Sequence, residues 1–388
     1  MLTVLIFIII LGLLVFVHEL GHFLVARRNG VFAEEFGFGF PPRIFGLYKD
    51  KNGKRKIVWG SKDVESEDTI YSANWIPLGG FVKIRGEDGE ENKDPKSFAS
   101  KKPFTRVRIL AAGVAMNIIL AAVLLSIGYF VGIPQAVEDT AAGTLKDEKI
   151  QIIETIPGTP AEQMGIKIGD QVVGAVGDNN QIAGFSTIED VQGYINANKG
   201  REISLEIRRG AETVKVTGIP RTDFPASEGS LGISLVKTAQ VSYPLLESIW
   251  RGVRSTFDLA GMIIVAFGSL LWKLITGHSV GMDVSGPVGI AVLTGQVAKL
   301  GFIYILQFAA VLSVNLAIIN ILPIPALDGG RILFILIEKI KGNPVSQKIE
   351  ARAHNIGFAL LITLMVVVTF RDVARLDVLE KIKNLLGG

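Results

Sequence analysis

The chain has 388 residues, 49% of them hydrophobic and only 20% charged, with 40 basic and 37 acidic side chains and a net charge of +3. An average soluble domain carries about 25% charged residues, so the balance argues against a simple cytosolic enzyme, and the near-neutral charge argues against a nucleic-acid partner. There is no cysteine, which excludes disulfides, thiol nucleophiles and Cys-ligated zinc.

The apolar residues fall in long runs separated by polar stretches, the pattern of a multi-span membrane protein. The first run, Leu2–Val17, resumes at Phe23–Ala26. As a helix it covers about 25 residues and roughly 37 Å, enough to cross a bilayer. It has no basic leader and is followed by Arg27-Arg28 rather than a small-residue cleavage site, so residues 1–26 read as a retained membrane helix, not a signal peptide. A loop over 27–105 leads to a second run, Ile109–Ile133, within a span at 106–133. The next apolar segment, Leu259–Trp272, is short and closed by Asp258 and Lys273. Its length predicts an interfacial amphipathic helix within 244–276. Two further runs, Phe302–Leu322 (in 302–330) and Ile356–Phe370 (in 355–371), read as the third and fourth spans.

Basic residues orient these spans. Arg27, Arg28, Arg43, Lys93, Lys96, Lys101, Lys102, Arg106 and Arg108 flank the first loop, whereas Lys146 and Lys149 alone follow the second span within 133–152. The positive-inside rule puts 26–108 in the cytoplasm and 133–249 outside.

The first span contains His18-Glu19-Leu20-Gly21-His22. Residues i and i+4 share a helix face, so both imidazoles can reach one ion. The glutamate between them can serve as general base toward water at that ion, the HExxH arrangement of zinc proteases. With four histidines in the chain, composition alone gives about 0.002 such patterns, so chance does not account for it. The bland alternative is a polar patch packed inside the helix bundle, but two histidines and a glutamate in a span are costly unless they serve a function.

A catalytic zinc takes three protein ligands and leaves one position open. His278 and His354 lie in polar connections, and Asp328, in Asn320-Ile-Leu-Pro323-Ile-Pro325-Ala-Leu-Asp328-Gly-Gly330, is the better third candidate. The prolines break the helix near membrane depth, which is tolerated where the backbone lines a site. A helix exit with Asp328 capping a following helix, Arg331–Ile340, is the alternative reading.

HELGH with NILPIPALDGG resembles the site-2 protease family of intramembrane zinc metalloproteases, in its bacterial regulator-of-sigma-E protease branch. The resemblance implies that His18, His22 and Asp328 bind Zn2+ and that Glu19 is the catalytic base. It further implies that Asn320, Pro323 and Pro325 help position unwound substrate. Pro77-Leu-Gly79-Gly80-Phe-Val-Lys-Ile84 and Ser285-Gly-Pro-Val-Gly-Ile290 are similar to the same branch. The first implies a membrane-associated β-element beside the active site, with Gly79 and Gly80 contacting substrate.

The outer region 141–237 reads as a folded insert. Gln151–Ile156, Gln171–Val176, Glu202–Arg208 and Glu212–Thr217 have strand patterns, and Thr187–Asn198 a helical one. Pro157–Asp170 resembles the PDZ signature, and Leu231-Gly232-Ile233 resembles the peptide-binding strand of the permuted bacterial form. PDZ domains bind peptides by strand addition, so contact with the periplasmic ends of substrates is implied; a small α/β spacer is the alternative.

Geometry links these readings. Asp328 reaches a metal near the cytoplasmic end of the first span only if the third span runs inward. That requires 244–276 to lie in the outer interface. The expected protein is therefore a polytopic α-helical membrane protein with four transmembrane helices and an inserted α/β PDZ-like domain. It sits among lipids of a bacterial inner membrane and cleaves transmembrane segments of membrane proteins, such as anti-sigma factors or signal-peptide remnants. Two other functions fit less well. One is a membrane zinc protease acting on soluble loops with a glutamate as third ligand; the other is a non-catalytic PDZ-bearing scaffold. Should Asp328 not be the third ligand, Glu338 is the first other residue to test.

Overall fold

The computed structural model describes residues 2–64, 66, 68–87, 94–137, 144–177, 179, 181–210, 212–225, 228–277, 286–343 and 345–375. His278, Ser285 and residues 141–143 lie outside the described residues. The chain divides into two compact units, Met1–Ser126 with Trp250–Gly388, and Ile127–Ile249.

Helix α1 (Leu2–Arg28) opens the first unit and ends on its first two cations. The loop expected to hold one β-element contains three strands, β1 (Ala33–Lys49), β2 (Arg55–Trp59) and β3 (Ile70–Ile84), in the order β2-β1-β3. Both long strands bend back on themselves, so Phe36 is in register with both Val82 and Tyr71, and Phe38 with both Gly80 and Ala73. Phe16, Leu20 and Phe23 of α1 pack on Ala33, Phe36 and Val82, fixing the sheet to the helix. The bend of β3 meets α1 through glycines that lie against the Val15 and Phe16 side chains. A Cβ built at Gly79 would lie 2.5 Å from Cβ of Val15, and Gly80 abuts Phe16. The sheet near this bend exposes Phe38, Phe40, Trp75 and Ile76, an apolar outcrop that water would penalise.

Helix α2 (Pro103–Val131) runs antiparallel to α1, since His22 meets Ile109 while His18 meets Asn117. Gly21 permits the crossing: a Cβ there would lie 2.4 Å from the Ala112 carbonyl oxygen.

The second unit holds β4 (Ile133–Ala136), β5 (Thr144–Thr155), α3 (Pro160–Gln163), β6 (Gln171–Val176), β7 (Ile182–Gly184), α4 (Ile188–Ala197), β8 (Ile203–Arg209), β9 (Glu212–Gly218) and β10 (Ile233–Ser242). The sheet order is β4-β10-β5-β6-β8-β9, with β7 on β6. Ile152, Val172, Val191, Ile203, Leu205, Ile207 and Leu231 form its core. Thr187 and Asp190 close a capping box on α4, and the Ser186 and Thr187 amides hold the Asp190 carboxyl below the usual range. Strand β4 and the end of β10 give the sheet a wider extent than 141–237.

Helix α5 (Leu245–Ile275) has the extent expected for 244–276 but overturns the argument from a short apolar length. It is 31 residues long, not a short apolar piece, because Arg251, Arg254 and Asp258 ride on it without ending it; Arg254 and Asp258 form an i,i+4 pair at 3.8 Å. Its buried positions Ser248 and Thr256 flank Gly252, which lies against Ser126 of α2. Helices α6 (Pro287–Leu300), α7 (Phe302–Ile321), α8 (Asp328–Lys341) and α9 (Gln347–Arg375) complete the first unit. Among the described residues five helices, α1, α2, α5, α7 and α9, are long and apolar enough to cross a membrane.

Candidate active site

The metal-binding candidates meet where three helices converge. His18 and His22 sit one turn apart on α1, with Nε2 atoms 3.1 Å from each other, and both residues are 6% exposed. Helix α7 ends at Ile321 because Leu322, preceding Pro323, adopts extended backbone. The chain then turns over Ile324–Leu327 and re-enters helix at Asp328, the first residue of α8. The two glycines that follow allow the turn: a Cβ at Gly329 would lie 2.2 Å from the carbonyl oxygens of Ile321 and Leu322. Gly330 abuts Ile324 in the same way.

This fold-back delivers Oδ2 of Asp328 to 3.0 Å from Nε2 of His18 and 3.4 Å from Nε2 of His22. The three ligand atoms all lie within 4.8 Å of one another. Oδ2 is buried and accepts no well-formed hydrogen bond. Two imidazole nitrogens and a carboxylate oxygen converge on one point, a donor set that suits a divalent cation once both Nε2 atoms are free of protons. The residues fit such an ion.

The far sides of the rings are also held. Nδ1 of His22 donates to the Ile109 carbonyl oxygen at 2.8 Å, which leaves Nε2 unprotonated for a metal. Nδ1 of His18 lies 3.4 Å from the Asn117 amide, and Nε2 of His18 lies 3.4 Å from Nδ2 of Asn320. Gly113 of α2 faces the histidines where no side chain fits: a Cβ would lie 2.4 Å from Nε2 of His22 and 2.8 Å from Nε2 of His18. Glu19 is half-buried beside them and makes no hydrogen bond among the described residues.

Other expected site residues lie at varied distances. Asn320 reaches the histidines, and Pro323 and Pro325 shape the loop before Asp328. Gly79 and Gly80 contact α1 at Val15 and Phe16, within one turn of His18 and Glu19. Leu231, Gly232 and Ile233 belong to the second unit, where Leu231 is core and Gly232 has φ +79°. Glu338 is 2.9 Å from Arg106 and outside the metal-binding group, which removes it as third ligand. His354 lies on α9, its Nδ1 accepting from the Ala326 amide. Sequence reasoning missed Asn117 and Gly113, although a lone amide inside a 29-residue apolar helix is itself a signal.

The family profile of peptidase family M50 matches residues 6–364. The regulator of sigma-W protease RasP of Bacillus subtilis is 31% identical over 455 aligned positions, covering 96% of this chain and 99% of that protein. The zinc metalloprotease RasP of Bacillus licheniformis is 32% identical, with coverage of 96% and 99%. The zinc metalloprotease RasP of Oceanobacillus iheyensis is 30% identical, with coverage of 97% and 100%.

Proposed function

The chain belongs to peptidase family M50, the site-2 proteases, as an intramembrane zinc metalloprotease, and we propose that His18, His22 and Asp328 hold its zinc while Glu19 is the catalytic base. The observation that carries this is the convergence of two Nε2 atoms and one buried carboxylate oxygen. When bound, zinc acidifies water and polarises a scissile carbonyl. Glu19 takes the proton from the attacking water and returns it to the leaving amine. Asn320, 3.4 Å from His18, is placed to donate its amide to an unwound substrate strand, and Pro323 and Pro325 keep the neighbouring backbone out of helix. The bend at Gly79-Gly80 rests midway along α1, which supports a β-element at membrane depth offering its edge to that strand. The test is side-by-side digestion of a membrane-segment reporter and a soluble-loop reporter, with Glu19→Gln as control. Cleavage of the loop reporter alone refutes the reading.

Four spans, α1, α2, α7 and α9, are proposed. Helix α6 lies against the start of α1 through Gly295 and Thr3, and against the end of α9, where the Asp372 carboxylate accepts from the Gly289 amide at 2.8 Å. The start of α9 lies at the other end, where Gly357 abuts Pro325 beside the metal group. Helix α7 therefore runs from the α6 end toward His18, antiparallel to α2. Both α2 and α7 then meet the intervening chain on the same side. A single crossing by α5 would put its end at Ile275 across the bilayer from the start of α6 at Pro287, and the short sequence between them is less than the length of a further spanning helix. This parity favours an interfacial α5, with both termini and the second unit outside a bacterial inner membrane.

The second unit is proposed as a PDZ-like domain. Strand β10 pairs with β5 from Ile233 to Ser242, but with β4 only from Thr238 to Val241. Among the described residues, its edge at 233–236 is open. Beside it runs a groove of about 330 Å³ lined by Gln192, Ile195, Phe224, Gly232, Ile233 and Leu235, suited to adding a peptide strand. The substrates proposed are anti-sigma factors trimmed by another protease, or signal-peptide remnants, whose outer ends this groove would engage.

A further inference from the structure

His18 and His22 are held by different kinds of group, and the difference exposes a role for Asn117. Behind His22 stands a main-chain carbonyl, Ile109, which can only accept. Behind His18 stands the side-chain amide of Asn117, which can present either oxygen or nitrogen. Asn117 is fully buried, and its own carbonyl accepts the Ser313 hydroxyl of α7 at 2.8 Å, so it joins α1, α2 and α7. With Nδ2 directed at His18, Oδ1 is buried without a partner. That orientation also makes Nδ1 of His18 the acceptor and puts the ring proton on Nε2. The proton would then point at Nε2 of His22 and Oδ2 of Asp328, where a cation must sit. Oxygen and nitrogen of an amide are exchanged by a half-turn. Turned, Oδ1 accepts Nδ1–H of His18, and Nε2 keeps its lone pair for the metal.

We propose that Asn117 is a positioning residue for the metal centre: its side-chain oxygen accepts Nδ1–H of His18 and so fixes the tautomer that presents Nε2 to the ion. This rests on the reading of His18 as a zinc ligand. The two orienting acceptors lie eight residues apart on α2, about 12 Å along its axis, with Gly113 midway and bare so that the rings fit between them. One face of α2 thus prepares both histidines.

The experiment measures zinc affinity of the full-length protein in detergent by chelator competition. Asn117→Leu keeps the volume and removes the acceptor, and zinc affinity falls about 10–100-fold. Asn117→Asp supplies an acceptor and does not show the about 10–100-fold loss of a removed outer partner. His18→Ala is the control. If His18→Ala binds zinc normally, the ligand reading fails and this proposal with it; if only Asn117→Leu binds normally, this proposal alone falls. Equal losses in Asn117→Leu and Asn117→Asp overturn it in favour of a packing role. Nitrogen-15 histidine spectra of the zinc-loaded wild type need no variant: they show His18 protonated on Nδ1, and protonation on Nε2 overturns the proposal.

Discussion

The main-chain amide of Ala326 donates to Nδ1 of His354 across 2.9 Å, so the last long helix holds the loop that delivers Asp328. Ala326 has φ +80°, a conformation that costs a non-glycine residue about 1–3 kcal/mol and persists only when its surroundings impose it. The imposition is visible one helical turn further on, where Gly357 of α9 sits so close to Pro325 that a Cβ would lie 2.3 Å from its carbonyl oxygen. His354→Ala is expected to lower zinc affinity about tenfold by loosening the third ligand, within the range for outer partners of metal ligands. His354→Asn, whose Oδ1 falls near the Nδ1 position, restores most of it. Unchanged affinity in His354→Ala would mean that the loop holds itself.

Glu19→Gln separates metal binding from chemistry. The amide keeps size and polarity but cannot take a proton. Zinc content stays at wild-type level while cleavage of a membrane-segment reporter falls by at least about 100-fold, the usual contribution of a general base. Activity within tenfold of wild type would remove Glu19 from that role.

Asp328→Ala removes one of three converging ligand atoms and leaves a two-histidine site. Zinc affinity and cleavage fall together, because an under-coordinated ion is not retained. Glu338 does not take its place, since it is engaged by Arg106. Normal zinc content with normal activity would require a ligand other than Asp328.

Gly113 gives a steric test that touches no ligand. Alanine there brings a methyl to 2.4 Å from Nε2 of His22, whereas alanine at Gly128, on the same helix, meets nothing closer than 3.4 Å. Gly113→Ala therefore abolishes zinc retention and cleavage, and Gly128→Ala preserves both. Equal behaviour of the two variants, measured by metal content after gel filtration, would contradict the packing.

The histidine pair, the glutamate and Asp328 were legible because each is a polar residue in a strongly apolar setting, and the proline and glycine neighbours of Asp328 announce a broken helix. The extent of α5 was not legible from an apolar run alone, since a helix that is apolar on one face continues through Arg251, Arg254 and Asp258. Strands β1 and β3 were hidden for a related reason. They expose Phe38, Trp75 and Ile76 and bury Glu35, Ser72 and Asn74, the reverse of a soluble sheet's pattern, and each carries a positive-φ glycine, Gly39 in β1 and Gly79 in β3, where a sequence reading would end a strand. Helix α6 was hidden by Gly289 and Gly295, which weaken its local propensity, although Gly295 is needed where Thr3 approaches. Asn117 needed the fold, because only the antiparallel crossing of α1 and α2 sets it behind His18.

The four-span topology predicts where impermeant reagents reach. The chain lacks cysteine, so single replacements report cleanly. Ser242→Cys and Thr276→Cys bracket α5 and are both labelled from the outer face of intact cells or spheroplasts. Labelling of Ser242→Cys alone would make α5 a fifth span, which would invert α7 and separate Asp328 from the histidines.

The inserted unit can exclude bulky substrates, engage trimmed ones, or do both, and its two attachments make these separable. Helix α2 ends at Val131 and α5 begins at Leu245, and the two helices touch at Ser126 and Gly252. Excising residues 133–242 and rejoining with a flexible linker therefore leaves the helix bundle able to close. If the unit excludes by size, the excised protein cuts substrates that still carry a folded outer domain, which the full chain leaves intact. Engagement makes a different demand. It uses the open edge of β10 at 233–236 and the groove beside it, so Ile233→Pro, which takes one amide out of the start of that strand, weakens cleavage of trimmed substrates without admitting untrimmed ones. The effect appears as a raised KM with kcat preserved, because the groove holds the outer end of the substrate and touches none of the reacting atoms. If excision leaves untrimmed substrates uncut while trimmed ones are cut normally, selection by size resides elsewhere, in the membrane helices or the β-element against α1.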